Sequence, residues 1–217
     1  ENSKLQALVT SAKSLFDSGQ HFDSLVKAIA AKQDLSQRQS DSETQLKVDL
    51  ALQQAVDNAV EKNTFVGHQD VVNSISYSPD GQLIASASSD NTIKIWQSRG
   101  KLVETISGHQ DSVIDVAFNP QGDLLASASE DNTIKLWNLQ GELQTTLSGH
   151  RGSVHRVVYS PQGDLLASAS GDRTVRLWSP QGNLINILTG HEQEILAVAF
   201  SPDGQTIATG DRAGILK

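Results

Sequence analysis

Along residues 1–62 apolar side chains recur at helical spacing; from there to residue 217 they alternate in short runs with a period near two. Leu5, Leu8, Val9, Ala12, Leu15 and Phe16 form one stripe, entered by a capping box at Ser3-Lys4-Leu5-Gln6 and stopped at Gly19. Phe22, Leu25, Val26 and Ile29 form a second stripe, and the polar, Ser/Gln-rich residues 33–42 read as a linker. A third stripe carries Leu46, Leu50, Leu52, Ala55, Val56, Ala59 and Val60. The pattern predicts helices over about 4–18, 22–32 and 43–62. Their apolar faces need burial, either in a helical hairpin of their own or against a neighbouring domain.

The second region is built from one unit, clearest in Gly108 to Trp137. Val113–Phe118 reads as a strand whose apolar positions, Val113, Val116 and Phe118, skip once, which predicts a bulge. Asn119-Pro120-Gln121-Gly122 closes a hairpin, with Pro presetting φ and Gly able to take positive φ. Leu124–Ser129 is the second strand, Glu130-Asp131-Asn132 a turn, Thr133–Trp137 the third strand and Glu142–Leu147 the fourth. The unit returns every 41 residues: Gly67-His68, Gly108-His109, Gly149-His150 and Gly190-His191 keep the interval, as do Trp96, Trp137 and Trp178. Asn63–Val66 holds the place of a fourth strand ahead of the first unit. Lys217 falls in register with Lys94, Lys135 and Arg176, two residues before an expected fourth Trp, so about 3.7 repeats are present and the last is truncated.

A period in the low forties with Gly-His and a late Trp resembles the WD-repeat family over residues 63–217, and predicts a mainly β chain with an N-terminal helical segment at 1–62. The resemblance implies a β-propeller, here about 3.7 blades of four antiparallel strands, as an incomplete ring or part of a larger one. It implies a hydrogen-bonded structural tetrad in each blade, in which imidazole, hydroxyl, carboxylate and indole satisfy one another. The members would be His68, Asp90 and Trp96; His109, Asp131 and Trp137; His150, Asp172 and Trp178. The serine is Ser86 or Ser88, Ser127 or Ser129, Ser168 or Ser170, because both members of each pair share a strand face. In the fourth repeat Ala213 stands at the aspartate position and no Trp follows, so that tetrad is expected to be broken. Residues 20–66 resemble the lead-in before the WD-repeat tail of bacterial NACHT or STAND signalling NTPases, which implies a sensor region. No Gly-x4-Gly-Lys-Ser/Thr loop lies in the chain, so the NTPase itself would be elsewhere.

Composition narrows the chemistry. Formal charge is −8, of which −2 falls in residues 1–62 and −6 in the rest, and neither part holds a basic run. That disfavours a nucleic-acid or anionic-membrane surface. The chain has no Cys, which removes disulfides and Cys-based zinc sites. No apolar run approaches the roughly 20 residues of a membrane span, and the start does not read as a signal peptide, so the expected location is the cytoplasm. The chain begins at Glu1 and holds no Met, which suggests a fragment of a longer regulatory protein.

Histidines repeating once per unit would be spread around a ring rather than gathered, so neither a metal nor another cofactor is expected. No nucleophile elbow or phosphate-cradling loop appears, so the chain is expected not to be an enzyme. Repeated positions serve the fold, and function should lie where the repeats differ. Asn73, Asp115, Glu130, Arg151, His155 and Arg156 are therefore the candidates for binding a protein or peptide partner. An alternative is self-assembly: a last repeat without its fourth strand and a spare strand at Asn63–Val66 would let two chains close a ring as a homodimer.

Overall fold

A computed structural model describes residues 7, 10–14, 26–32, 42–57 and 64–217. The chain divides into two compact units, Glu1–Lys62 and Asn63–Lys217. In the first, residues 10–14 and 26–32 are helical and α1 spans Ser42–Asp57. Ala12 and Ala28 are buried with Leu52 packed against them, Val48 is also buried, and Lys32 pairs with Asp49. Leu46 and Leu50, which the helical spacing assigns to an apolar face needing burial, are instead exposed. The helix turns its Val48 face inward. The remainder of the three predicted helices lies outside the described residues.

The second unit holds fourteen strands. β1 to β4 are Val72–Tyr77, Leu83–Ser88, Thr92–Gln97 and Leu102–Ser107; β5 to β8 are Val113–Phe118, Leu124–Ser129, Ile134–Asn138 and Leu143–Leu147. β9 to β12 are Val154–Tyr159, Leu166–Ser170, Val175–Trp178 and Leu184–Leu188; β13 and β14 are Ile195–Phe200 and Ile207–Asp211. They form three four-stranded antiparallel meanders and a two-stranded sheet, which Leu216 extends through a bridge to Gly210. The first strands β1, β5, β9 and β13 lie side by side in succession, as the blades of a partial propeller require. Each of these strands breaks register near its start, as between Val113 and Asp115, where the skipped apolar position predicts the bulge. Residues 64–66 form no ladder; Phe65 instead sets its ring edge-on to Trp96, at 5.6 Å.

Packing between blades is directional. Ala85, Ala87, Ile93, Ile95 and Ile106 of blade 1 meet Val113, Val116, Phe118, Leu125 and Trp137 of blade 2. Blades 2 and 3 repeat the arrangement with Ala126, Ala128, Ile134, Leu136 and Leu147 against Val154, Val157, Leu166 and Trp178. Ala167, Ala169 and Val175 then receive Ile195 and Val198 of blade 4. Every blade thus has a leading face, with small residues on its second strand, and a trailing face of larger ones from its first strand. The small residues admit the larger ones at interior packing density.

Candidate functional site: the tetrads and the loop end of the blades

The turn after each second strand and the loop around each Gly-His meet at one end of the blades. There the N–H groups of Ser89, Glu130, Gly171 and Arg212 donate to the carbonyls of Val71, Ser112, Ser153 and Glu194 at 2.9 to 3.0 Å. The turns carry a left-handed residue at Asn91, Asn132 and Arg173 (φ 65° to 69°), and at Gly214 in blade 4. Asn accepts that conformation more readily than Arg.

Beneath this end each of blades 1 to 3 carries the same chain of hydrogen bonds. In blade 2 the Trp137 Nε1–H donates to Ser127 Oγ (2.8 Å), Ser127 Oγ lies 2.7 Å from His109 Nε2, and His109 Nδ1 lies 2.7 Å from Asp131 Oδ2. Blades 1 and 3 repeat it through Trp96, Ser86, His68 and Asp90, and through Trp178, Ser168, His150 and Asp172. The indole donates to the hydroxyl, and with an Nδ1–H tautomer the hydroxyl donates to Nε2 and Nδ1–H to the carboxylate. Burial fits this, pushing the His109 and His150 rings down from the ordinary histidine value despite the carboxylates that pull them up. In blades 1 and 2 the glycine before the histidine makes room for the indole, since a Cβ on Gly67 or Gly108 would sit 2.9 Å from the Trp ring; at Gly149 it would meet the Arg176 guanidinium instead.

The two serines that strand parity leaves equivalent have separate tasks. Ser86, Ser127 and Ser168 bridge Trp to His, whereas Ser88, Ser129 and Ser170 accept from the N–H of Asp90, Asp131 and Asp172 and donate to the carbonyls of Asp70, Asp111 and Gly152. Each aspartate also accepts from the backbone of the residue after its histidine: Gln69, Gln110 and Arg151. Loop and turn are thereby clamped together.

In the fourth repeat the tetrad is incomplete, with no indole and Ala213 at the aspartate position, yet its imidazole is still held at both nitrogens. His191 Nδ1 lies 2.7 Å from Asp211 Oδ2 and its Nε2 2.8 Å from Thr209 Oγ1. Thr209 stands where the other repeats have the bridging serine, and Asp211 stands two residues before Ala213 on the same strand face, so its carboxylate reaches the same imidazole. The other carboxylate oxygen, Asp211 Oδ1, accepts from the N–H groups of Ala213 and Ile215. Period-two parity around Thr209 was the available signal.

The six candidate contact residues separate. Glu130 and Arg151 are exposed, and Asn73 is exposed with its amide donating to Ser89 Oγ and to the Val113 carbonyl of the next blade. Asp115 is not available to a partner, being 3% exposed. It accepts from Ser74 of blade 1 and from the Val157 N–H and Arg156 guanidinium of blade 3, joining three blades. Burial pushes its carboxyl up and these donors pull it back. β9 is the edge strand of its sheet, so the Val157 N–H has no ladder partner on that side and needs this acceptor. Arg156 is half-exposed but anchored to Asp115 at 3.3 Å, so reversing its charge would strain the blade junction as well as any contact.

His155 is partly buried, with its Nε2 enclosed and unpartnered. In blade 1 the equivalent pair is Asn73 and Ser89, which bond at 3.0 Å; in blade 3 a glycine stands where the serine would be. A Cβ on Gly171 would lie 3.4 Å from His155 Nε2, with room for a hydroxyl. Gly171→Ser is expected to stabilise the domain by about 0.5–1.5 kcal/mol through the new hydrogen bond. Urea denaturation checks this, and a variant no more stable than the parent would show that the imidazole does not engage the hydroxyl. No cluster of His, Asp and Glu arranged to hold a metal occurs among the described residues.

The family model described as "WD domain, G-beta repeat" matches residues 60–97, 100–138, 141–179 and 182–217. Ribosome assembly protein 4 of Saccharomyces cerevisiae is 55% identical over 40 residues, 18% of this chain and 8% of that protein. An uncharacterised WD repeat-containing protein of Synechocystis is 39% identical over 108 residues, 48% of this chain and 9% of the relative. A ribosome biogenesis protein BOP1 homolog of Drosophila virilis is 44% identical over 48 residues, 22% of this chain and 6% of that protein. The matched segments thus span less than a tenth of each of these relatives.

Proposed function

The chain belongs to the WD-repeat family, and from that premise we propose that residues 63–217 form a non-catalytic recognition scaffold that holds a protein or peptide partner at the loop end of its blades. One observation carries this: the residues that vary among the repeats stand on backbone that the repeated hydrogen-bond chains and turn contacts immobilise. The Arg151 N–H is held by Asp172 and the Glu130 N–H by the Ser112 carbonyl, while both side chains project into solvent. A partner meets groups already ordered, so little conformational entropy is lost on binding at this surface.

The mixed charge of Glu130, Arg151 and Asn73 suits a segment offering paired charges and hydrogen-bonding groups. The net charge of −6 in the repeat region disfavours nucleic acid and anionic lipid, and a cytoplasmic role is the reading that goes with it. Among the described residues no helix is long and apolar enough to cross a membrane. The names of two relatives concern ribosome assembly and biogenesis, but what they share with this chain is about one repeat.

The double variant Glu130→Lys/Arg151→Glu tests the reading. It should lose, by at least tenfold, whatever proteins the parent chain retains from an extract of its own cells. Its unfolding free energy should stay within about 0.5 kcal/mol, because both side chains are exposed. An unchanged set of retained proteins would remove the loop end from consideration.

A further inference from the structure

The loop end is not uniform in charge, and its sign turns over at blade 3. Four of its positions fall in register from blade to blade: Gln110, Asp111, Glu130 and Asn132 in blade 2, and Arg151, Gly152, Gly171 and Arg173 in blade 3. Beside the tetrad aspartate common to both, blade 2 carries −2 there (Asp111 and Glu130) and blade 3 carries +2 (Arg151 and Arg173). Blade 4 returns to acid, with Glu192 exposed in the place of Arg151. Glu194 reaches to the side of Gly171, but its carboxylate is taken by Arg212 at 2.8 Å, as Arg156 is taken by Asp115. Arg151 and Arg173 are exposed and have no ion partner among the described residues. Blade 3 has a neighbour on each side, since β9 packs against both β5 and β13.

The backbone holds these two arginines in place. Arg173 sits at φ 69°, where blades 1 and 2 have Asn and blade 4 has Gly. A long side chain in that conformation costs energy that the other repeats avoid. Gly152 lets the loop lie directly on the turn, because a Cβ there would meet the Asp172 nitrogen at 2.9 Å. With the Arg151 N–H bound to Asp172 and the Arg173 N–H to the Ser170 carbonyl, both guanidinium stems start from one fixed patch.

We propose that this patch receives the acidic side chains of a peptide segment whose flanks are basic. The inference rests on the loop end being the contact surface, and adds the order of charges that a partner must carry. Packed sheets stand about 10 Å apart, and charges are screened over about 8 Å at physiological salt. A segment crossing the blades therefore meets acid, base and acid in turn, as separate fields. A nucleic acid, being a continuous polyanion, is repelled by Asp111 and Glu130 on one side and Glu192 on the other. A phosphoryl group gains little over a carboxylate, because the turn's N–H groups are already spent. Those of Gly171 and Arg173 go to the Ser153 and Ser170 carbonyls, that of Asp172 to Ser170 Oγ and that of Thr174 to Asp172.

Fluorescence anisotropy tests the order of charges with two labelled peptides of one composition, equal in glutamate and lysine. One has its glutamates at the centre and lysines on both flanks; the other has the reverse. The acid-centred peptide should bind the full chain about tenfold more tightly, as expected of a few exposed ion pairs. Arg151→Gln/Arg173→Asn gives blade 3 the residues of blade 2 and should abolish the preference. It should not lower the urea midpoint, because Asn suits the left-handed turn better than Arg. Lys101→Gln, which removes an exposed charge in the turn beyond β3, should keep the preference. Equal binding of the two peptides, binding of neither, a preference that survives the double variant or one lost equally in Lys101→Gln overturns the proposal. So does tighter binding of a single-stranded oligonucleotide or of a phosphoserine-centred peptide. Should both peptides fail while Glu130→Lys/Arg151→Glu still loses its extract partners, the order of charges is wrong and the contact surface stands.

Discussion

Replacing Trp137 by Ala is expected to cost about 3–5 kcal/mol, the usual range for deleting a fully buried large aromatic. The ring is 2% exposed and sits in the cluster joining blades 1 and 2, beside Ile95, Phe118 and Leu125. Its loss opens a cavity at a junction that close packing prevents from collapsing fully. It also removes the indole donor from Ser127, whose hydroxyl remains beside His109 and the Lys135 carbonyl. Domains of this size hold about 5–15 kcal/mol in total, so the variant should lie near or beyond the limit of folding at 37 °C.

The three indoles occupy like surroundings, yet they should not be equivalent. Trp137 and Trp178 lie inside blade–blade clusters, whereas the trailing face that carries Trp96 is open and the ring is covered by Phe65. Trp96→Ala should therefore cost measurably less than Trp137→Ala. Trp137→Phe keeps most of the packing and isolates the hydrogen bond, at about 1–2 kcal/mol. Urea titrations of the three variants give the order. A Trp137→Ala loss below about 1 kcal/mol would mean that the junction repacks and the tetrads are not what holds neighbouring blades in register.

Acid should unfold the domain in a defined window, and this is the second large effect. Burial by itself pushes the Asp131 carboxyl up, but the Thr133 hydroxyl, the Gln110 N–H and the His109 ring outweigh it and hold the group at about 2. Asp172 is held at about 2 in the same way, against burial, by Thr174, the Arg151 N–H and His150. Asp90 is also held well below the ordinary carboxylate range. A carboxylate depressed in the folded state contributes stability that is present above its unfolded value near 3.9 and lost as pH falls through the folded value. Because these groups retain partial contact with water, about 1–2 kcal/mol each is the appropriate size, lost between roughly pH 4 and 2.

The histidines act with the same sign at higher pH. His109 and His150 are depressed by burial, so the unfolded chain takes up their protons first, and stability declines as pH falls below about 6.5. Asp115 runs the other way, since burial raises its carboxyl and favours its protonated form in the fold. Free energies of unfolding should therefore be level above about pH 7, decline gently to pH 4 and fall steeply below it. A curve that stayed flat from pH 7 to 3 would mean that the tetrad aspartates are no better held in the fold than in the open chain. Asp131→Asn separates the contributions: it should lower stability at pH 7 and flatten part of the acid limb.

Much of this was legible along the chain because it is local and repeated. The 41-residue interval, the strand and turn order within it and the bulge in each first strand follow from the repeat, period-two alternation and turn chemistry, while the histidines, aspartates and tryptophans that meet are those the family resemblance implies. The choice between Ser86 and Ser88 did not, since both side chains point to one face and only their distance from the imidazole separates them. The Thr209–His191–Asp211 arrangement was hidden for a related reason. Strict register points to Ala213, while a carboxylate two residues earlier on the same face serves equally well.

What lay wholly beyond one-dimensional reading was the traffic between blades. Asp115 looks like a variable loop-side charge, but its partners Ser74 and Val157 are 41 and 42 residues away and belong to two other sheets. Which apolar side chains are covered was also decided in three dimensions: Ile75 and Val116 hold the same place in their repeats, yet one is 65% and the other 3% exposed. Sequence determined the form of each blade, because hydrogen-bonded turns and alternating strands depend on near neighbours. Tertiary structure decided which faces are spent and which remain open, because burial depends on whatever stands opposite.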